Sequence, residues 1–147
     1  MNELEKVRNW LGTYPGAIPV REMRVDYYAP NPDNGSIDPS GLVEISRKED
    51  VLGNVTVENQ LNFALYFVLI KSPEDDSIAT DNAALLMDLQ RWIQEQSIRK
   101  LAPTFGDMPE KESIRAQNGA LYAASPEGVG IYTVQLSINF TKIYEVN

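Results

Sequence analysis

Carboxylates and the side chains of Thr, Ser, Lys and Tyr are the groups of this sequence that could do chemistry, because the chain contains neither histidine nor cysteine. The absence of histidine removes the commonest general base and the commonest ligand of transition metals. The absence of cysteine removes disulfides, thiolate catalysis and cysteine-based metal sites. Catalysis would therefore have to come from carboxylates, hydroxyls or lysine amines, and metal binding from clusters of oxygen ligands.

One such cluster lies in a segment rich in proline and glycine, residues 29–41, and contains Asn31, Asp33, Asn34 and Asp38. Oxygen ligands at alternate positions are what a calcium ion requires. The spacing does not match the EF-hand loop, in which a glycine follows the third ligand and a glutamate comes six residues after it. Asn and Asp also favour turns. We therefore expect turn-forming side chains in a long loop rather than a calcium site.

Two further clusters are pairs of adjacent acids, Glu49 with Asp50 and Asp75 with Asp76. Paired carboxylates can hold Mg²⁺ or act as acid and base, but both pairs lie in stretches that are typical of solvent-exposed turns. The sequence also lacks the glycine-rich phosphate-binding motifs and the G-x-S-x-G motif of serine hydrolases. We predict no catalytic residue, no cofactor and no metal site, and hence that the protein is not an enzyme.

The composition is that of one folded domain with an acidic surface. A chain of 147 residues can bury a core of its own, and we expect a single domain over residues 1–147. The net charge of −8 argues against a specific nucleic-acid-binding surface, because affinity for phosphates comes mainly from Lys and Arg. Three of the first six residues are charged, Glu3, Glu5 and Lys6, unlike a signal peptide, and no apolar stretch reaches the ~18 residues of a membrane-spanning helix. We expect a protein that is made in the cytosol and does not bind membranes.

The element that could position functional side chains best is a long strand predicted over residues 130–144. From Tyr132 to Phe140 every second residue is apolar, a period typical of a strand with one face in a core. The alternate side chains are polar and uncharged, a composition that suits either water or a subunit contact. They are Thr133, Gln135, Ser137, Asn139 and Thr141.

The remaining pattern predicts an α+β fold. We expect a mixed, largely antiparallel sheet with long strands, one long amphipathic helix packed on it and a short N-terminal helix. The other predicted strands are residues 20–28, near an edge of the sheet, and residues 42–48, 55–71 and 113–124. The predicted helices are residues 2–13 and 80–99.

Two of these strands carry more specific predictions. Residues 63–70 are apolar on both faces, so they should lie in the middle of the sheet, with a helix on one side and a second helix or a neighbouring subunit on the other. Asn118 and Gly119 interrupt residues 113–124 and predict a β-bulge. The turn that follows should join this strand to the last one in an antiparallel hairpin.

The long helix has an apolar stripe and an expected start. Thr80 or Asp81 could serve as its N-cap, and cations at its other end suit the helix dipole. We expect Trp92 to pack on residues 63–70. The stripe consists of Leu85, Leu89, Trp92, Ile93 and Gln96.

A second long loop is predicted over residues 101–112, which include Pro103, Gly106 and Pro109. Phe105 and Met108 are apolar side chains within it. Two interpretations remain open: these side chains pin the loop to the core, or they are offered to a partner.

The chain from Ala64 to the C-terminus resembles a known family. The resemblance runs through A-L-Y-F-V-L-I-K, A-A-L-L-M-D-L-Q-R-W-I-Q-E-Q, P-T-F-G-D and N-G-A-L-Y, and ends on V-Q-L-S-I-N-F-T-K-I-Y-E. These segments are similar to those of the small neck and minor capsid proteins of tailed phages and prophages, and within them to the tail-terminator group.

That resemblance implies a helix packed on a mixed sheet, and a homo-hexameric ring that closes the head-proximal end of the tail tube. It implies contacts with identical copies, with the tail tube protein and with neck or connector proteins, and a place in the virion. DNA would pass through the ring without specific binding, which an acidic protein suits. Ring contacts in this group follow surface shape more than a motif, so no individual residue is transferred.

From the residues we select as the interface Thr133, Gln135, Ser137, Asn139 and Thr141, with Phe105 and Met108 from the loop. Two alternatives remain open. One is a head-tail connector or tail-completion protein, and the other is a small ligand- or peptide-binding module that uses the two long loops.

Overall fold

The computed structural model describes residues 2–16, 23–26, 34–70, 76–125 and 128–146. Its described α-helices are α1, Glu3–Leu11, and α2, Asp76–Ile98, and a short 3-10 helix spans Pro109–Lys111. Its described strands are β1, Met23–Val25; β2, Asn34–Glu49; β3, Val55–Ile70; β4, Ser113–Ser125; and β5, Val129–Tyr144.

These strands form one sheet in the order β1-β2-β3-β5-β4. β1 runs parallel to β2, and the other neighbouring pairs are antiparallel. The prediction of an α+β fold with a mixed, largely antiparallel sheet is therefore confirmed, and β3 lies in the middle as its two apolar faces indicated. The strands β2, β3 and β5 each have 16 residues, well above the usual ~5–6.

The core lies between one face of the sheet and the two helices. The apolar residues of β5 alternate as predicted: Tyr132, Val134, Leu136, Ile138 and Phe140 are all buried. The antiparallel register places Leu136 opposite Phe63 and Val134 opposite Leu65, so that the core faces of β5 and β3 coincide. Each fully buried aliphatic or aromatic side chain contributes about 1.5–3 kcal/mol, which makes this face the main source of stability.

Helix α2 faces the sheet with a stripe that is rotated from the predicted one. Leu86, Leu89 and Ile93 are its most deeply buried residues and belong to the core cluster with β3. Trp92 is only half-buried and stacks on Trp10 of α1, with ring centroids 5.2 Å apart. The predicted stripe was centred too close to Trp92. This side chain is apolar because it contacts α1, not because it faces the sheet.

Helix α1 docks beside α2 through aromatic side chains. Asn2 caps α1 by accepting the Glu5 N–H at 2.9 Å, and Trp10 donates its indole N–H to Gln96 Oε1 at 3.1 Å. Tyr14 follows α1 and packs against Trp92 at 5.2 Å between ring centroids. Burial raises the pKa of the Tyr14 phenol above its ordinary value, and the nearby carboxylate of Asp88 raises it further.

Helix α2 begins at Asp76, four residues before the predicted start, so Thr80 and Asp81 are not its N-cap. Acidic residues are favourable in the first turn of a helix, and Asp76 is one of those that the sequence analysis assigned to a turn. Asn82 holds this end of the helix against the sheet by donating to the Ile70 carbonyl at 2.7 Å and to the Tyr132 hydroxyl at 3.2 Å.

The prediction of a loop over residues 29–41 was wrong for its second part, because β2 begins at Asn34. Backbone pairing of Asn34 with Val68, and of each residue up to Pro39 with β3, outweighs the weak strand propensity of this segment. The register shifts between Pro39 and Gly41, where the glycine takes a positive φ of 99°. A proline and a glycine are tolerated in a strand at such a bulge. Residues 29–33 lie outside the described residues.

The predicted strand over residues 20–28 is described only at residues 23–26, where β1 forms an edge of the sheet. Met23 is buried, whereas Arg24 and Val25 are exposed. The predicted bulge in β4 is confirmed, because its register shifts between Gln117 and Ala120 and Asn118 takes a φ of 58°. The β4–β5 hairpin is antiparallel, as expected.

Candidate functional site

The side of the sheet opposite the described helices is here called the open face. On β5 it carries the five residues predicted as an interface, Thr133, Gln135, Ser137, Asn139 and Thr141, and all five are half-buried. Their neighbours on β3 are Tyr66, Ala64, Asn62, Gln60 and Glu58. The structure therefore brings the five predicted residues together in one row.

Cross-strand hydrogen bonds join this row to β3. Gln60 donates its amide N–H to Asn139 Oδ1 at 3.2 Å, and the Ser137 hydroxyl donates to Asn62 Oδ1 at 2.9 Å. The sequence analysis missed Gln60 and Asn62 as members of the site. The alternation of polar residues in the first half of β3 would have indicated them, since the polar face of one strand must continue onto its neighbour.

The central part of the open face bears little charge. Asp38 of β2 lies opposite Ala64 and accepts a hydrogen bond from Ser36. Glu58 and Arg115 are exposed and lie towards its margins. Removing water from uncharged amides and hydroxyls costs far less free energy than removing it from ionised groups. This face can therefore be covered by another protein surface at low electrostatic cost.

Phe105 packs against the core, as the first of the two interpretations of the segment 101–112 predicts. It packs against the core cluster, its ring lies 6.1 Å from that of Phe140, and the ammonium group of Lys6 lies 5.5 Å from its centroid. Lys6 also donates to the Thr104 carbonyl at 3.2 Å. Met108 is half-buried and lines a cleft of about 250 Å³ with residues of β2, β3 and β5, including Thr141.

The segment 101–112 is held in place by hydrogen bonds to its own backbone and to the backbone of β5. The buried carboxylate of Glu112 accepts the N–H groups of Phe105 and Gly106 at 2.8 and 2.9 Å. Asp107 donates its N–H to the Thr141 carbonyl at 2.7 Å and accepts the Ile143 N–H at 2.8 Å. This segment is therefore a fixed part of the surface at the end of β5.

A second feature that the sequence analysis missed is the distal part of the β2–β3 hairpin, residues 39–58, here called the hairpin arm. It exposes apolar side chains: Leu42, Val43 and Ile45 on β2 are each about half exposed, and Val51 and Leu52 at the turn are still more exposed. Asp50 stabilises the turn by accepting the Leu52 and Asn54 N–H groups, both at 2.9 Å. Exposed apolar side chains in such a group mark a surface that contacts another molecule.

The structure gives no support to a calcium site at residues 29–41. Asn34 and Asp38 lie in the extended strand β2, so their Cα atoms are separated by ~13 Å, and Asn31 and Asp33 are outside the described residues. In the part of the chain that the structure describes, no group of three or more acidic side chains could hold a metal ion. Another cleft, of about 520 Å³, lies between α2 and β4 and is lined by Gln90, Gln94, Arg91 and Arg115 among others.

No protein-family model matches this sequence, and no curated protein is similar to it. The resemblance to the tail-terminator group therefore stays a prediction. Among the described helices, neither is long and apolar enough to span a membrane.

Proposed function

We propose that this protein is a structural subunit of a phage or prophage tail, which forms a homo-hexameric ring that terminates the tail tube and joins it to the neck. Its partners would be identical copies, the tail tube protein and a neck or connector protein, and its place would be the virion. The observation that carries the proposal is the open face: a broad, nearly uncharged polar surface on strands much longer than usual.

Burial of this surface in an assembly is physically favourable. The amide and hydroxyl groups of Gln60, Asn62, Ser137 and Asn139 already satisfy part of their hydrogen-bonding capacity within the face. A neighbouring subunit would therefore leave few polar groups unpaired. The net charge of −8 fits a ring through which DNA passes without sticking.

The test places charge on this face. Gln135→Glu combined with Asn139→Asp keeps the size of both side chains and adds two negative charges per subunit, which oppose association wherever copies meet. We expect the parent protein to form a ring by native mass spectrometry and light scattering, and the variant to lose either the ring or its ability to cap tail tubes while its circular dichroism is unchanged. The matched control is Gln94→Glu with Ala84→Glu, which adds the same charge at exposed positions of α2.

The outcomes separate the candidate functions. A parent protein that stays monomeric at its highest soluble concentration contradicts the proposal and favours a ligand-binding module, for which the cleft of about 520 Å³ between α2 and β4 is the candidate site. A charged variant that still forms rings and still caps tail tubes shows that the open face contacts only solvent. Capping of tail tubes, seen as uniform tail length in electron micrographs, distinguishes a terminator from a connector.

A further inference from the structure

The two edges of the sheet are incompletely covered among the described residues. On one edge, β1 pairs with β2 only at Gly35, Ser36 and Ile37, which leaves the outer side of residues 39–49 without a described partner strand. Three apolar side chains of this edge are exposed, Leu42, Val43 and Ile45. Long edges with exposed apolar side chains are sites at which another strand adds.

The other edge, β4, is half covered by α2. Ile114 donates its N–H to Ser97 Oγ at 3.0 Å, and Gln90 donates to the Ala116 carbonyl at 3.2 Å, so α2 occupies the outer side of the first half of β4. Residues 120–125 have no such contact with α2 among the described residues. They are uncharged, and Leu121 and Tyr122 are 43% and 62% exposed.

Strand directions make these two edges complementary in a head-to-tail arrangement. Because β2, β3, β5 and β4 alternate in direction, β2 and β4 run in opposite directions. A second copy placed in the same orientation at the edge of the sheet therefore presents its β2 antiparallel to β4 of the first copy. Antiparallel pairing is the more stable arrangement, and repetition of one head-to-tail contact generates a ring.

The side chains of the two edges also match. Leu121 lies opposite Tyr132 and Leu42 opposite Leu61, so both leucines are on the helix side of the sheet. Tyr122 contacts the ring of Tyr66 at 5.3 Å between centroids, which places it on the open face. On that face of β2 lies Val43, opposite Gln60. Pairing of the two edges therefore places apolar side chains next to each other on both faces of the sheet. Neither residues 39–43 nor residues 120–125 contain a charged side chain.

The stagger that this pairing needs is compatible with a closed sheet. In the register of the sheet, Leu42 aligns with Ile138 of β5, and Leu121 aligns with Tyr132 of β5. Ile138 and Tyr132 are six residues apart. Each copy is therefore shifted by six residues, ~20 Å, along the strand direction. Its four strand spacings extend ~19 Å across the sheet, and the ratio of these two distances corresponds to a strand tilt of ~45°. Closed sheets have tilts of about 35–45°. β4 ends at Ser125, close to where β1 begins to occupy the edge of β2.

We propose that residues 39–43 of one copy pair as an antiparallel strand with residues 120–124 of the next copy, with Leu42 opposite Leu121, so that the sheets join head to tail into one continuous sheet. The inference rests on the proposed ring-forming function and assigns its contact. In the joined sheet the described helices of all copies lie on one side, and the open faces form one continuous polar surface on the other, which is left for the tail tube protein or the neck protein.

The test blocks one edge at a time. Leu42→Lys and Leu121→Lys place a charge on each edge at positions that are already exposed in the single copy, so each variant should keep its circular dichroism and its urea midpoint. We expect each variant alone to raise the dissociation constant of self-association about ten-fold or more, since a lysine must be desolvated in the contact. Met87→Lys, at an exposed apolar position of α2 away from both edges, is the matched control.

Mixing the two variants tests the head-to-tail geometry. Each variant retains one intact edge, so an equimolar mixture should form one-to-one dimers that cannot grow, visible by native mass spectrometry with one variant isotopically labelled. A mixture that stays monomeric overturns the head-to-tail contact. Rings that persist in both single variants overturn the edge pairing but leave the ring-forming function standing, whereas a monomeric parent overturns both.

A covalent test does not depend on the lysine variants. The chain has no cysteine, so Leu42→Cys with Leu121→Cys introduces the only thiols. Under mild oxidation this double variant should give a ladder of disulfide-linked oligomers on non-reducing gels, and each single-cysteine variant should not. Absence of the ladder from a parent-like ring contradicts the edge pairing.

Discussion

Replacement of Glu112 by glutamine tests how the segment 101–112 is held. The buried carboxylate accepts two backbone N–H groups, those of Phe105 and Gly106, at 2.8 and 2.9 Å. A glutamine side chain has the same size but a single acceptor oxygen, so its NH₂ group would face one of the two N–H donors. One hydrogen bond is then lost, and a buried donor is left unsatisfied.

The magnitude follows from the number and type of hydrogen bonds. A hydrogen bond to a charged group contributes about 1.5–3 kcal/mol, so Glu112→Gln should lower the free energy of unfolding by about that amount. With a urea dependence of about 2 kcal/mol per molar, the midpoint of urea unfolding should fall by about 1 M. The amide protons of Phe105 and Gly106 should exchange faster in the variant, because these N–H groups lose their acceptor.

Glu110→Gln is the matched control, since Glu110 is an exposed carboxylate in the same segment. It should leave the urea midpoint within about 0.3 M of the parent value, as exposed substitutions usually change stability little. If Glu112→Gln behaves like this control and leaves the exchange of Phe105 and Gly106 unchanged, the carboxylate does not organise the segment.

Three further predictions concern the packing of the fold. Trp92→Ala should cost about 2–4 kcal/mol in urea unfolding, because the half-buried indole stacks on Trp10; a loss below about 1 kcal/mol would contradict the stack. Gly106→Ala should cost about 1–3 kcal/mol, because the new Cβ would overlap the backbone carbonyl of Thr141; unchanged stability would show that the two chains are further apart. Tyr14 has a raised pKa in the folded state, so its contribution to stability is complete below pH 10 and is lost as the pH rises above it. The parent should therefore lose stability relative to Tyr14→Phe as the pH is raised above about 10, the ordinary pKa of tyrosine, and a difference that is constant with pH would exclude this linkage.

Much of the fold could be predicted from the sequence because the deciding physics is local. The period of two in β5 determines both the strand and its buried face, since successive side chains point to opposite sides. Asn118 and Gly119 predicted the bulge in β4 because these residues adopt positive φ at low cost. The same period of two predicted the row of polar side chains on β5, because they occupy the positions between the apolar ones.

The predictions that failed are those that depend on distant parts of the chain. Residues 34–41 are poor strand formers, and they form a strand because β3 lies beside them and pairs with their backbone. The start of α2 at Asp76 and the face that it turns to the sheet depend on contacts such as those of Asn82, which join residues far apart in sequence.

The same division applies to the candidate site. The sequence by itself determined that an uncharged polar face exists, because strand periodicity assigns side chains to faces without reference to neighbours. Only the tertiary structure decided that Gln60 and Asn62 complete this face, that Phe105 packs on the core, and that no described strand covers the edge of the hairpin arm. Strand order and register decide these features, and both are set by the packing of the whole sheet rather than by any one segment.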